Sequence, residues 1–232
     1  MRRRPWDILL SIGVLAVLLA GSHALHDHVW AVKSVPTGQK IIALTFDDGP
    51  DPQTTPALLA VLAAKNARAT FFLLGENAAK HPDLTAVVAA AGHEIGSHGY
   101  RHLFPNKLPR EELFADIARA EETIAAATGT RPVLYRPPGG GYNDPLVGEL
   151  AMRGYITVLW SIDPRDWKRR NAAQIAATIV RRTSPGAIVL LHEGQCAVNT
   201  PAAVALVIDR LAAEGYSFVT VSELLRRRGL GD

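Results

Sequence analysis

Seven short apolar runs, each followed by a stretch with helical spacing, constrain this chain more than any other feature of its sequence. The runs at 41–46, 70–74, 94–97, 133–135, 156–160, 187–191 and 217–221 have strand length. The stretches at 56–66, 84–91, 110–128, 145–153, 172–182 and 201–214 read as helices. A last helix is expected over 221–228, and Pro56, Pro145 and Pro201 suit the first turns of theirs. Strands joined by helices lie parallel in one sheet. Seven of them, with polar groups gathered after five, predict an α/β fold whose sheet closes into a barrel rather than staying open. At 232 residues the chain suits a single domain with a real core, and it shows no repeat or low-complexity tract. The lone cysteine, Cys196, cannot form an intramolecular disulfide, so packing must hold the fold. Its place four residues after His192 reads as a small half-buried thiol rather than a metal ligand.

The first run ends in Thr45-Phe46-Asp47-Asp48-Gly49-Pro50, two adjacent carboxylates where a strand gives way to a Gly-Pro turn. Barrel enzymes keep their chemistry at such strand ends. Neighbouring carboxylates can divide the labour, one binding a metal and the other staying free to take a proton. Alone, Asp-Asp-Gly is an ordinary solvated turn; its company argues otherwise. After 94–97 come His98 and His102, and a helical turn there would aim both imidazoles at one ion. After 133–135 comes Arg136-Pro137-Pro138-Gly139-Gly140-Gly141, a guanidinium followed by stiff and then open backbone whose N–H groups can face a developing oxyanion. The run 156–160 leads to Asp163-Pro164-Arg165-Asp166-Trp167, and 187–191 leads through Leu190-Leu191 to His192. Any one of these could be a surface turn or a capped chain end. Five in succession are a constellation.

Together these residues resemble the polysaccharide deacetylase family, carbohydrate esterase family four, over roughly 41–225. The resemblance rests on Thr45 to Pro50, the histidine pair, Arg136-Pro137-Pro138, Asp163 to Trp167 and Leu190-Leu191-His192, in the family's order. It implies a distorted barrel of seven strands. It also implies that the backbone N–H at Gly139 helps hold the oxyanion. Two departures are peculiar to this chain. Gly99 replaces the Ser or Thr that usually follows the first histidine, so a hydroxyl expected to brace that loop is missing. Gly139 replaces a Tyr, which keeps the N–H but removes an aromatic side chain from the groove wall.

The expected roles follow. Asp48, His98 and His102 form a two-nitrogen, one-carboxylate site with room left for water and a carbonyl, suited to a catalytic metal. Zinc is the default, and cobalt, nickel or manganese would suit the same donors. Asp47 is the general base, and His192 is the acid that protonates the departing amine. Arg136 should keep Asp47 ionised by lowering its pKa. Asp166 should orient His192, with Asp163 as its rival, and Trp167 and Leu190 should line the acetyl pocket or sugar groove. The expected activity is metal-dependent N-deacetylation of an N-acetylhexosamine polymer, peptidoglycan or a chitin-like oligosaccharide. An O-acetyl esterase of a glycan such as xylan is the rival of the same chemistry. A barrel that only binds glycan is the rival of another class.

Arg2-Arg3-Arg4 precede an apolar run at 8–20 and a Ser22-His23-Ala24 ending, so 1–25 reads equally as a cleaved signal or a retained membrane anchor. On either reading the catalytic domain, 41–228, is exported to the cell envelope, with 26–40 as its tether. The formal charge of +3 gathers partly in terminal arginine clusters with no interleaved aromatics, which argues against a nucleic-acid partner. No obligate protein partner is expected.

Overall fold

The computed structural model describes residues 31–230. The segment read as signal or anchor therefore lies outside the described residues, and none of the helices within them is long and apolar enough to cross a membrane. Among the described residues are seven parallel strands and eight α-helices, which alternate except where two helices separate β2 from β3. The strands are β1 (Ile41–Asp47), β2 (Thr70–Leu73), β3 (Glu94–Ser97), β4 (Leu134–Tyr135), β5 (Ile156–Thr157), β6 (Ile188–His192) and β7 (Ser217–Phe218). The helices are α1 (Thr54–Ala64), α2 (Gly75–Lys80), α3 (Pro82–Ala90), α4 (Arg110–Thr128), α5 (Asp144–Met152), α6 (Ala172–Arg182), α7 (Thr200–Ala213) and α8 (Val221–Arg226).

The sheet order is β5-β4-β3-β2-β1-β6, with β7 paired to the first residues of β1. β1 is buried along its whole length, as a near-continuous apolar run in a parallel sheet covered on both faces should be. Its side chains alternate. Ile42, Leu44 and Phe46 face outward, packing with Leu58 and Leu62 of α1, Ile175 and Ile179 of α6, and Val204 and Val207 of α7. Ile41 and Ala43 face inward with Phe72, Leu134, Val158, Ile188, Val221 and Leu224. By the same two-residue period Thr45 and Asp47 point inward, and the last rung of the β1–β6 ladder sets Asp47 beside His192.

The expected barrel is a curled half-barrel. Its edge strands, β5 and β6, are not paired with each other, and the segment after β5 reaches β6 through an isolated bridge between Ile162 and Val189. The segment just ahead of β1 helps fill that gap: Val32 bridges to Val158, Ser34 bridges to Ala187, and Val35 is buried. The packed unit thus begins before Ile41. Two strands, β5 and β7, fall three residues short of the expected runs for identifiable reasons. Beyond Thr157 the chain leaves the ladder, and the carbonyls of Val158 and Leu159 accept from the Arg136 guanidinium instead. The run at 217–221 stops at Phe218 because Thr220 caps α8, exchanging hydrogen bonds with Glu223 in a capping box. α2 was not expected, since its Gly-Glu-Asn opening carries no apolar period.

Candidate active site

β1 ends at Asp47, and the chain turns sharply through Asp48 (φ 72°) and the cis Gly49–Pro50 bond. Left-handed backbone is uncommon outside glycine and gathers where a site holds a side chain at a set angle. Asn77 of α2 donates to the Asp48 carbonyl at 2.8 Å and fixes the turn. The sharp turn separates the two carboxylates: Asp47 stays buried inside the sheet, while Asp48 reaches across its end.

His98 follows β3 and is buried. Its Nδ1 lies 2.7 Å from the Arg136 carbonyl, which accepts the ring N–H and leaves Nε2 as the lone-pair nitrogen. Burial, only partly opposed by Asp48, pushes the His98 pKa down to about 3, so the ring is neutral and able to ligate. His98 Nε2 and His102 Nε2 stand 3.7 and 3.6 Å from Asp48 Oδ1. The donor atoms of Asp48, His98 and His102 all lie within 4.8 Å of one another, and Asp48 Oδ1 is buried with no hydrogen-bond partner. A buried carboxylate oxygen left unsatisfied between two imidazoles is a cation site by its donor chemistry.

The two histidines do not converge through a helical turn, as their spacing suggested. Residues 98–102 form a loop with left-handed backbone at Gly99 (φ 81°) and His102 (φ 55°). Asp116 of α4, buried, braces this loop in place of the missing hydroxyl. Its Oδ2 accepts the Tyr100 N–H at 2.7 Å, and its Oδ1 accepts Arg101 Nε at 3.1 Å. A Cβ on Gly99 would sit 3.0 Å from Asp116 Oδ2. Gly99→Ser should therefore not tighten metal binding. It should cost about 1–2 kcal/mol of stability, the penalty for an L side chain in the left-handed region. Metal affinity should fall with it as the loop shifts. A serine variant with an unchanged melting temperature and tighter metal in a competition titration would show that bracing, not backbone conformation, limits this loop.

Arg136 is fully buried. Its Nη1 donates to Asp47 Oδ1 at 2.7 Å and to Thr45 Oγ1 at 2.8 Å, its Nη2 and Nε reach the carbonyls of Leu159 and Val158, and its guanidinium lies over Phe72. Asp47 Oδ2 is left facing the metal cluster, 3.7 Å from His98 Nε2. Arg136 does act to lower the Asp47 pKa, through its charge and its hydrogen bond, but it does not set the net direction. Burial raises the pKa and outweighs the opposing charges of Arg136 and His192.

Across the ladder, the Asp163–Asp166 rivalry resolves in favour of Asp166. His192 Nδ1 lies 2.8 Å from Asp166 Oδ1, while the His192 backbone N–H and Thr200 Oγ1 both donate to Asp166 Oδ2. Asp163 instead accepts the Arg165 N–H two residues on, closing its own loop. Burial disfavours the charged His192 ring, but the hydrogen bond and charge of Asp166, with Asp47 and Asp48 beyond, outweigh it and raise the pKa to about 9. Leu190 is buried on the inward face of β6, and Trp167 stands exposed beside Asp166. Gly139 is left-handed, with the Phe104 ring over it.

Several contributors were not foreseen. Glu193 is buried and accepts the Thr55 hydroxyl. Burial, reinforced by Asp51, Asp48 and Asp47, lifts its pKa to about 8 despite that bond. Its Oε2 lies where a Cβ on Gly49 would be, so a side chain at that turn would have to displace the Glu193 carboxylate. Asp116 and Asn77 sit on helices rather than after strands, where no strand-end signal marks them. Cys196 is exposed rather than half-buried.

Residues 34–158 match the polysaccharide deacetylase family. The chain is 44% identical over 195 residues to a peptidoglycan-N-acetylglucosamine deacetylase of Bacillus cereus, an alignment covering 83% of this chain and 91% of that protein. It is 37% identical over 193 residues to the peptidoglycan-N-acetylmuramic acid deacetylase PdaC of Bacillus subtilis, covering 83% of this chain but 40% of the longer protein. Among solved structures, the Bc1960 peptidoglycan N-acetylglucosamine deacetylase bound to a naphthyl N-oxidanyl-benzamide superposes with a TM-score of 0.83 at 33% identity, over 87% of this chain and 95% of that one.

Proposed function

Because this chain belongs to the polysaccharide deacetylase family, we propose that its site removes N-acetyl groups from N-acetylhexosamine units of a cell-envelope polysaccharide, with peptidoglycan before chitooligosaccharide. The observation that carries the reading is the last rung of the β1–β6 ladder. It sets a carboxylate with one free oxygen beside an imidazole held by a buried carboxylate, next to a cluster of metal donors.

Asp48, His98 and His102 would hold a divalent metal, zinc by their donor set, with cobalt, nickel or manganese also compatible. Bound there, the ion would supply Lewis-acid polarisation of the acetamide carbonyl and of water. Asp47 takes a proton from the attacking water through Oδ2, since Oδ1 is engaged by Arg136. His192 is cationic at neutral pH, its Nδ1 anchored on Asp166, and it gives its Nε2 proton to the departing amine. An amine needs that proton because a bare amide anion leaves poorly. Gly139 offers its N–H to the oxyanion, while Leu190 and Trp167 border the acetyl and sugar positions. For localisation we infer export, with 1–25 acting as signal or membrane anchor, from the arginines and apolar run that open the chain.

The test is acetate release from peptidoglycan, chitooligosaccharides and acetylxylan, followed across pH. The first two should yield acetate and the third little. Because His192 must be protonated, activity should fall as pH rises through about 9. Asp166→Asn removes the charge that stabilises the imidazolium, so the His192 pKa drops and the alkaline limb moves to lower pH. His192→Ala should harm N-acetyl substrates far more than activated acetyl esters, whose alcohols leave without help. An alkaline limb unmoved by Asp166→Asn would remove His192 from the acid role.

A further inference from the structure

Phe104 is a large apolar side chain, 45% exposed, where the metal cluster meets the glycine loop. A scattered exposed aromatic needs no explanation, but this one has a defined position. Its ring meets His102 edge-on, with centroids 5.5 Å apart and planes at 89°. It also lies over the bare backbone of Gly139, where a Cβ would come within 2.7 Å of its Cε1. Phe104 thus occupies space that a side chain at 139 would otherwise claim. The left-handed backbone at Gly139 (φ 65°) keeps that space free.

The backbone that carries the ring is anchored. The Phe104 carbonyl accepts the Lys107 N–H at 3.0 Å, closing the short turn Pro105–Lys107, in which Pro105 is buried. One end of the segment is therefore anchored while the ring stays half in solvent. Lys107 Nζ lies 5.2 Å from the ring centroid. That ammonium lies over one π-face on a flexible stem, and a pyranose, whose polarised C–H bonds are the neutral equivalent of such a cation, would take its place or stack on the opposite face.

We propose that Phe104 is a substrate-binding residue, the wall on which the pyranose ring carrying the scissile acetamide stacks. The inference rests on the N-deacetylase reading above and adds a residue of this chain to its specificity. In this role the ring contributes to holding the sugar more than to the chemical step, since it offers no proton and no charge.

The test compares the full chain, Phe104→Ala and Phe104→Tyr in three assays: steady-state kinetics on tetra-N-acetylchitotetraose, hydrolysis of 4-nitrophenyl acetate, and zinc competition titration. Phe104→Ala should raise KM for the oligosaccharide about tenfold, the scale of one aromatic contact. Its kcat should change less than its KM, and its loss on the small ester should be smaller than on the oligosaccharide. Phe104→Tyr should restore KM, and zinc affinity should be equal in all three. Zinc weakened in step with activity, with KM unmoved, would make Phe104 a support for His102 and overturn the proposal. An unchanged KM with unchanged zinc would overturn it too. If the unaltered protein releases no acetate from any glycan, the parent reading fails first, and that outcome is distinct from an active enzyme indifferent to Phe104.

Discussion

Asp47→Asn should bind a divalent metal nearly as tightly as the unaltered protein yet release acetate at least ~10²-fold more slowly, the usual size of a general-base contribution. The asparagine keeps the shape and can still accept from Arg136 through its oxygen, so the buried guanidinium retains a partner. It cannot take a proton from water. His98→Ala, Asp48→Ala and His102→Ala should behave in the opposite way. Each removes one of three donors gathered within 4.8 Å, and with no fourth protein ligand in that group tight metal binding should be lost along with activity. The pair of measurements separates two carboxylates that are adjacent in sequence. Isothermal titration of metal into each variant, alongside acetate release, decides the matter. An Asp47→Asn enzyme with near-full activity would mean that Asp47 is not the base. A His98→Ala protein holding one metal at unchanged affinity would mean that the ion binds elsewhere.

The site was legible in the sequence wherever a polar residue ends an apolar strand. Asp47, His98, Arg136 and His192 all follow strand-like runs, and the two-residue period of β1 and β6 carries Asp47 and His192 to the same inward face. What stayed hidden depends on backbone conformation or on partners distant in the chain. Four-residue spacing suggested a helix at His98 and His102, but the left-handed angle at Gly99 is set by contacts from α2 and α4, whose Gly75 and Glu76 N–H groups and Asp116 carboxylate grip the loop. Composition could not separate Asp163 from Asp166, because the choice turns on which carboxylate meets both the backbone and the ring of His192. The seventh strand ends earlier than its β-branched run suggests. Thr220-Val221-Ser222-Glu223 carries the residue types of a capping box, a stronger local signal than the β-branched run that obscured it.

Arg136 is where the catalytic and structural accounts join, and removing it should have the largest effect on stability of any change in the site. From sequence its role was electrostatic. In the fold it also ties β1 to the segment after β5, since one guanidinium serves Asp47 and Thr45 on one side and the Val158 and Leu159 carbonyls on the other. Arg136→Met fills much of the volume but leaves those buried acceptors unpaired and Asp47 without its counter-charge. The expected cost is ~3–5 kcal/mol, the range for breaking a buried ion pair by removing one partner. Arg136→Lys should recover little, because a single ammonium cannot reproduce a planar fork that reaches four acceptors. Burial already raises the Asp47 pKa with Arg136 present. Without the guanidinium it should rise further, so the carboxyl holds its proton over a wider range of pH and the base weakens together with the strut. Chemical denaturation of Arg136→Met across pH tests both consequences. The deficit should shrink toward acidic pH, where a protonated Asp47 no longer needs a counter-charge, and a deficit that is small and independent of pH would show that the strut is dispensable.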